Sequence, residues 1–95
     1  MAHKYRKLLA YVGWEDGRVT IELVKLSRNG NSYHLQGDRW RRMRSGFLDD
    51  DNCTNDSGRT IKISLLSRRR CPNWVDVNDF QISNLAEEQY RSWLG

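Results

Sequence analysis

The sequence predicts a mainly β (α+β) domain: an antiparallel meander of five or six strands bent into a small barrel or half-barrel, with one C-terminal helix. Three observations predict it. Turn dipeptides recur at short intervals in the first half, Asp16-Gly17, Asn29-Gly30 and Gly37-Asp38, each able to supply the positive φ that tight hairpins need. The apolar residues of the second strand change face partway along, which suits a strongly bent sheet buried on both sides. The final residues switch from alternation to helical spacing.

The first hairpin turns at Asp16-Gly17. A two-residue loop there pairs Glu15 with Arg18, Trp14 with Val19, Val12 with Ile21 and Ala10 with Leu23, an apolar face with an opposite-charge pair beside the turn. Folding about Asn29-Gly30 pairs Leu26 with Tyr33, Lys25 with His34 and Val24 with Leu35, so either both faces of the second strand are used or a bulge separates Leu23 from Val24. Folding about Gly37-Asp38 pairs Gln36 with Arg39, Leu35 with Trp40, His34 with Arg41 and Tyr33 with Arg42. The arginine-rich run thereby becomes a strand. The competing assignment is a helix over 39–47 capped by Asp38, with Trp40, Met43 and Phe47 on one stripe and Gly46 as its stop; arginine in a first helical turn opposes the macrodipole, which favours the strand.

Residues 45–58 are polar and acidic and are predicted to form a long, mobile loop. A strand follows in which Ile61, Ile63 and Leu65 alternate with Thr60, Lys62 and Ser64, Pro72 marks a break, and a short strand is expected around Trp74, Val75 and Val77. The helix, about 83–94, has Ser83 as its N-cap, Glu87 and Glu88 near its positive end, Gly95 after its last turn, and Ala86, Tyr90, Trp93 and Leu94 as the docking stripe.

A chain of 95 residues suits one domain spanning 1–95, and 38% apolar residues with four Trp and four Tyr can build a core. No segment reaches the roughly 18 apolar residues of a membrane span, and Met1 to Lys7 lack the apolar run of a signal peptide. A cytoplasmic protein without membrane contact is expected, with Cys53 and Cys71 as free thiols. The matches to the glycosylation pattern at Asn52 and Asn55 then signify only a polar loop.

Chemistry-bearing motifs are absent. His3, His34, Cys53 and Cys71 are isolated and no Cys-x-x-Cys occurs, so no metal or other cofactor is expected. The acidic loop lacks the glycine and glutamate register of a calcium loop, and no phosphate-binding glycine loop or nucleophile elbow occurs. One grouping could move a proton: His34 beside Arg41 and Lys25, with Glu22 and Gln36 near the same face, resembles in outline a small metal-independent ribonuclease. A strand histidine on a polar face is more often simply exposed, and a non-enzymatic protein is expected.

Charge is the informative feature. The net charge of +4 hides clusters of Arg39, Arg41, Arg42 and Arg44 and of Arg68, Arg69 and Arg70, set against acids at Asp49, Asp50 and Asp51. Strand alternation puts Arg39 and Arg41 with His34 and Gln36 on one face and Arg42 with Tyr33 and Trp40 on the other. Cations beside flat side chains suit single-stranded nucleic acid, so the predicted interface comprises Tyr33, His34, Arg39, Trp40, Arg41, Arg42, Arg44, Arg68, Arg69 and Arg70. The bland alternative buries Tyr33 and Trp40 in the core and leaves the arginines to solvate the surface or pair with the acidic loop. A different class of function is a protein-binding inhibitor or adaptor that meets an acidic partner surface through its Trp and Arg residues.

Overall fold

The computed structural model describes residues 5–43, 51–66, 71–76 and 78–95. Arg44, Arg68, Arg69, Arg70, Val77 and the 45–50 part of the expected loop lie outside them, as do Gly46 and Phe47. Strands β1 (Arg6–Gly13), β2 (Val19–Leu26), β3 (Ser32–Leu35), β4 (Asp38–Met43), β5 (Asp51–Thr54) and β6 (Thr60–Leu65) each pair antiparallel with the next, and β6 returns to β1. The meander is thus a closed six-stranded barrel. A seventh strand, β7 (Gln81–Ile82), runs parallel to β2 and leads into helix α1 (Asn84–Leu94).

Closure follows from two long strands buried on both faces. Leu8, Ala10 and Val12 of β1 and Val24 and Leu26 of β2 point into the barrel, where they meet Tyr33, Leu35, Trp40, Cys53, Ile61 and Ile63. The odd-numbered residues Leu9, Tyr11, Ile21 and Leu23 form a second cluster on the outside, covered by Ala86, Phe80 and Tyr90. Each fully buried aliphatic side chain here stabilises the fold by about 1.5–3 kcal/mol. The change of face between Leu23 and Val24 is therefore the division between the helix-covered exterior and the interior.

Three turns set the registers, and two differ from expectation. Residues 15–17 form a three-residue loop closed by the Trp14 amide donating to the Arg18 carbonyl (2.9 Å), with Gly17 at φ +90°. Asp16 stabilises it by accepting from the Arg18 backbone N–H at 3.0 Å and from its Nε at 2.7 Å. The register slips by one residue, so Val12 faces Thr20 and Ala10 faces Glu22. The second hairpin keeps its expected pairs, Lys25 with His34 and Leu26 with Tyr33. The third turns at Gln36-Gly37, with φ +52° and +80°, instead of Gly37-Asp38, and pairs Tyr33 with Trp40 and His34 with Arg39. This shift moves partners but preserves faces.

The polar stretch 45–58 contains a strand that its composition conceals. β5 has one wholly buried side chain, Cys53, and is held between β4 and β6 by backbone pairing rather than by an apolar face. Asn55 to Arg59 then repeat the three-residue loop seen after Trp14, with Gly58 at φ +81°. The strand expected around Trp74 and Val75 does not form: the Val75 amide closes a turn onto the Pro72 carbonyl (3.0 Å). The strand partner left unoccupied by short β3 is the Thr20–Ile21 stretch of β2, and Gln81 and Ile82 take it.

Helix α1 begins where Ser83 accepts from the Ala86 amide (3.3 Å) and ends at Gly95. Its docking stripe is only half used. Ala86 is buried and Tyr90 packs against the barrel, whereas Trp93 and Leu94 remain 55% and 62% exposed.

Candidate nucleic-acid interface

The closed barrel sorts charge by face. Residues directly opposite one another across an antiparallel pair project to the same side. Glu22, Asp38 and Asp51, the acids of the described strands, fall on inward positions opposite Ala10, Leu35 and Ile63. Lys7, Lys25, Arg39, Arg41 and Lys62 all fall on outward ones. The outer surface of the described strands therefore carries cations without an acid.

Three of these outward cations line up with His34. Lys7 of β1 faces Lys25 of β2, Lys25 faces His34 of β3, and His34 faces Arg39 of β4. With neighbouring strands about 4.8 Å apart, the row crosses roughly 14 Å of sheet. Arg41 extends it on β4, opposite Ser32 and Thr54. Like charges placed directly opposite one another cost stability, and a bound anion relieves that cost.

The paired arginines form a separate set. Arg18 bonds Asp16, Arg59 bonds Glu15, Arg91 bonds Glu87 and Arg42 bonds Asp51. Among the described residues Lys7, Lys25, Arg28, Arg39 and Arg41 form no ion pair. Arg42 is the most committed of the first set. Its guanidinium donates to the Gly30 carbonyl at 2.7 Å and to Asp51 Oδ1 at 2.9 Å, and it lies 5.9 Å from the centre of the Tyr33 ring. Tyr33 completes the latch by donating its hydroxyl proton to Asp51 Oδ2 at 2.7 Å. Burial, the hydrogen bond to Asp51 and the charge of Asp51 all push the Tyr33 phenol well above its ordinary value. Burial weakens the Arg42 charge, but the hydrogen bond and charge of Asp51 outweigh it and hold Arg42 above its usual range. Arg42 Nε is buried with no hydrogen-bond partner, so the latch is not fully satisfied.

These contacts redraw the expected interface. Tyr33 and Trp40 are each 1% exposed and belong to the core, where Trp40 Nε1 donates to the Leu35 carbonyl (3.3 Å); neither can stack on a base without unfolding. Arg42 is occupied inside. His34, Arg39 and Arg41 stand together on the outer face, and Arg44, Arg68, Arg69 and Arg70 lie outside the described residues. The ribonuclease-like grouping does not assemble: His34 faces Arg39 and Lys25, while Glu22 is buried inside the barrel. Among the described residues no cluster of His, Cys, Asp and Glu is placed to hold a metal ion.

Lys7, Arg28 and Tyr5 are additions. Lys7 was hidden by the one-residue slip, since a two-residue loop at Asp16-Gly17 would place Leu8, not Lys7, opposite Lys25. Tyr5 and His34 meet edge-on at 5.2 Å, and with Arg28, Arg39, Ser27, Asn29 and Ser32 they line a cleft of about 570 Å³. A second cleft, about 380 Å³, lies where Trp74 covers Gly13, beside Trp14, Arg18 and Lys62. A Cβ on Gly13 would stand 3.1 Å from the Trp74 ring, so any larger residue there requires the ring to give by a few tenths of an ångström. Compared with protein-family models, curated proteins and solved structures, the chain matches none.

Proposed function

We propose that the protein is a small basic module that binds single-stranded nucleic acid, RNA or DNA, through the exposed outward-facing cations of β1 to β4, beside the part of β1 and β2 that the helix covers. The observation that supports it is the row Lys7, Lys25, His34 and Arg39, extended by Arg41, on strands whose acids all fall on inward positions. A sheet surface of this kind follows a phosphate backbone with its cations and needs no sequence contact to do so. A cytoplasmic setting, in which Cys53 and Cys71 stay reduced, fits this role.

Titration with a labelled single-stranded oligonucleotide at several salt concentrations tests the proposal. Four cations on phosphates give a slope of log K against log salt of about −3, at roughly −0.7 per contact for a single strand. Absence of binding at low salt refutes it.

A protein-binding adaptor or inhibitor is the second reading, favoured by the exposure of Leu85, Trp93 and Leu94 on α1. Retention of one defined acidic protein from nuclease-treated lysate supports it. Retention that disappears on nuclease treatment supports nucleic-acid binding instead.

A further inference from the structure

We propose that the Tyr5–His34 cleft is a single-nucleotide subsite, in which one unstacked base lies against the two rings while its phosphate is held by Arg28 and Arg39. This rests on the reading of the outer face as a nucleic-acid surface and adds what the row alone lacks, a means of distinguishing a single strand from a duplex.

The cleft sits at the β3–β4 end of the cation row. Arg39 and His34 belong to both. Its volume of about 570 Å³ falls within the range of small-ligand sites. Its lining joins two aromatic rings to two guanidinium-bearing side chains and, among the described residues, contains no acid, a combination suited to a flat ring carrying a negative charge. Tyr5 is 44% exposed, so its ring is available without unfolding, unlike those of Tyr33 and Trp40.

The loop that carries Arg28 is held in place before any ligand arrives. Asn29 Oδ1 accepts from the Ser27 hydroxyl at 2.7 Å and from the Asn31 amide at 3.0 Å, while Ser27 Oγ accepts from the Ser32 amide at 3.1 Å. Such bracing reduces the ordering cost of binding. A duplex keeps its bases stacked and can use only the cation row. A single strand can turn one base into the cleft and gains the stacking as well.

Two experiments test the subsite. In the first, Tyr5→Ala and wild type are titrated with a labelled single-stranded oligonucleotide and with a duplex of the same sequence. The expected result is a loss of about tenfold or more for the single strand, with duplex affinity and the salt slope unchanged. Unchanged single-strand affinity, or an equal loss for duplex, overturns the subsite while leaving the cation row intact. In the second, wild type bound to the single strand is challenged with a 5′-mononucleotide or with inorganic phosphate at equal ionic strength. Displacement by the mononucleotide alone supports the subsite even if Tyr5→Ala does not fold. Equal displacement by both, or by neither, overturns it. Failure of wild type to bind any single strand at low salt removes the cation-row reading and the subsite together.

Discussion

Arg41 and Arg42 are neighbours in the chain and opposites in the fold. Arg42 turns inward, where Asp51 and the Gly30 carbonyl take up its two Nη groups and the Tyr33 ring lies beside its charge. Arg41 turns outward, opposite Ser32 and Thr54, and has no acid partner among the described residues. The two sides of one strand thus give arginine two different tasks. Inside, it fastens β4 to the β2–β3 loop and to β5. Outside, its charge has no ion-pair partner among the described residues. An arginine-rich run is therefore not a binding site as a unit, because the period of two divides it.

The largest expected effect is at Trp40, which shares the inward face with Arg42. It is 1% exposed and packs edge-on against Trp14 at 6.2 Å between ring centres. Trp40→Ala is expected to destabilise the fold by about 3–5 kcal/mol, enough to unfold many domains of this size. Urea denaturation measures it. A loss below about 1 kcal/mol would mean that Trp40 is not a core residue.

Arg42→Ala comes next. Among the described residues it leaves the Asp51 carboxylate with the Tyr33 hydroxyl alone, and it removes the tie to the β2–β3 loop. The Arg42 side chain is 34% exposed and that of Asp51 13%, so the expected loss is about 1–3 kcal/mol, below that for a fully buried pair. Oligonucleotide affinity, measured on the folded fraction, should not change. A weakened affinity with unchanged stability would place Arg42 on the binding face after all.

The sequence makes much of this legible, and the failures have identifiable causes. Alternation and turn glycines give five of the barrel strands, the division of faces on β4 and the helix cap at Ser83. Loop length is what fails: Asp16-Gly17 and Asn55 to Gly58 both use a three-residue loop, whose extra residue is invisible in a dipeptide signal. That single residue conceals the pairing of Lys7 with Lys25, and with it the place of Lys7 in the cation row. β5 is missed because Asp51, Asn52, Cys53 and Thr54 carry no apolar pattern; its partners, not its composition, make it a strand. The aromatic half of the predicted interface fails for a different reason. Alternation fixes that Tyr33 and Trp40 share a face but not which face is inside, and a closed barrel decides it.

Alkaline pH separates the two sides of the barrel in another way. Cys53 is fully buried, and burial, reinforced by the charge of Asp51, pushes its thiol up to about 12, while the Tyr33 phenol is raised as well. Both groups are held protonated in the fold and ionise more readily once unfolded. Their contribution to stability is whole below the unfolded values, about 8.5 for a thiol and 10 for a phenol, and is lost as pH rises through the folded ones. Stability should therefore fall above pH ~8.5, by up to about 1.4 kcal/mol per pH unit for Cys53, with Tyr33 adding to the slope above pH ~10. Cys53→Val, which removes the titrating group at similar volume, should flatten the fall between pH ~8.5 and ~10. An unchanged slope in that variant would show that Cys53 ionises as freely in the fold as outside it.

The smallest stability effect is predicted for Arg41→Glu. Arg41 is exposed and forms no ion pair among the described residues, so its reversal should leave the unfolding free energy within about 0.5 kcal/mol of wild type. Its effect on binding is of another order. The substitution removes one phosphate contact and sets a negative charge on the only face whose described strands lack one. Single-strand affinity at low salt should fall by about tenfold, and the salt slope should shrink by about 0.7 for the lost contact. Arg42→Ala has the opposite profile, unstable but still binding once folded. If both variants lose stability and binding together, the inward and outward faces do not have separate roles, and the cation row is a consequence of folding rather than a surface for a ligand.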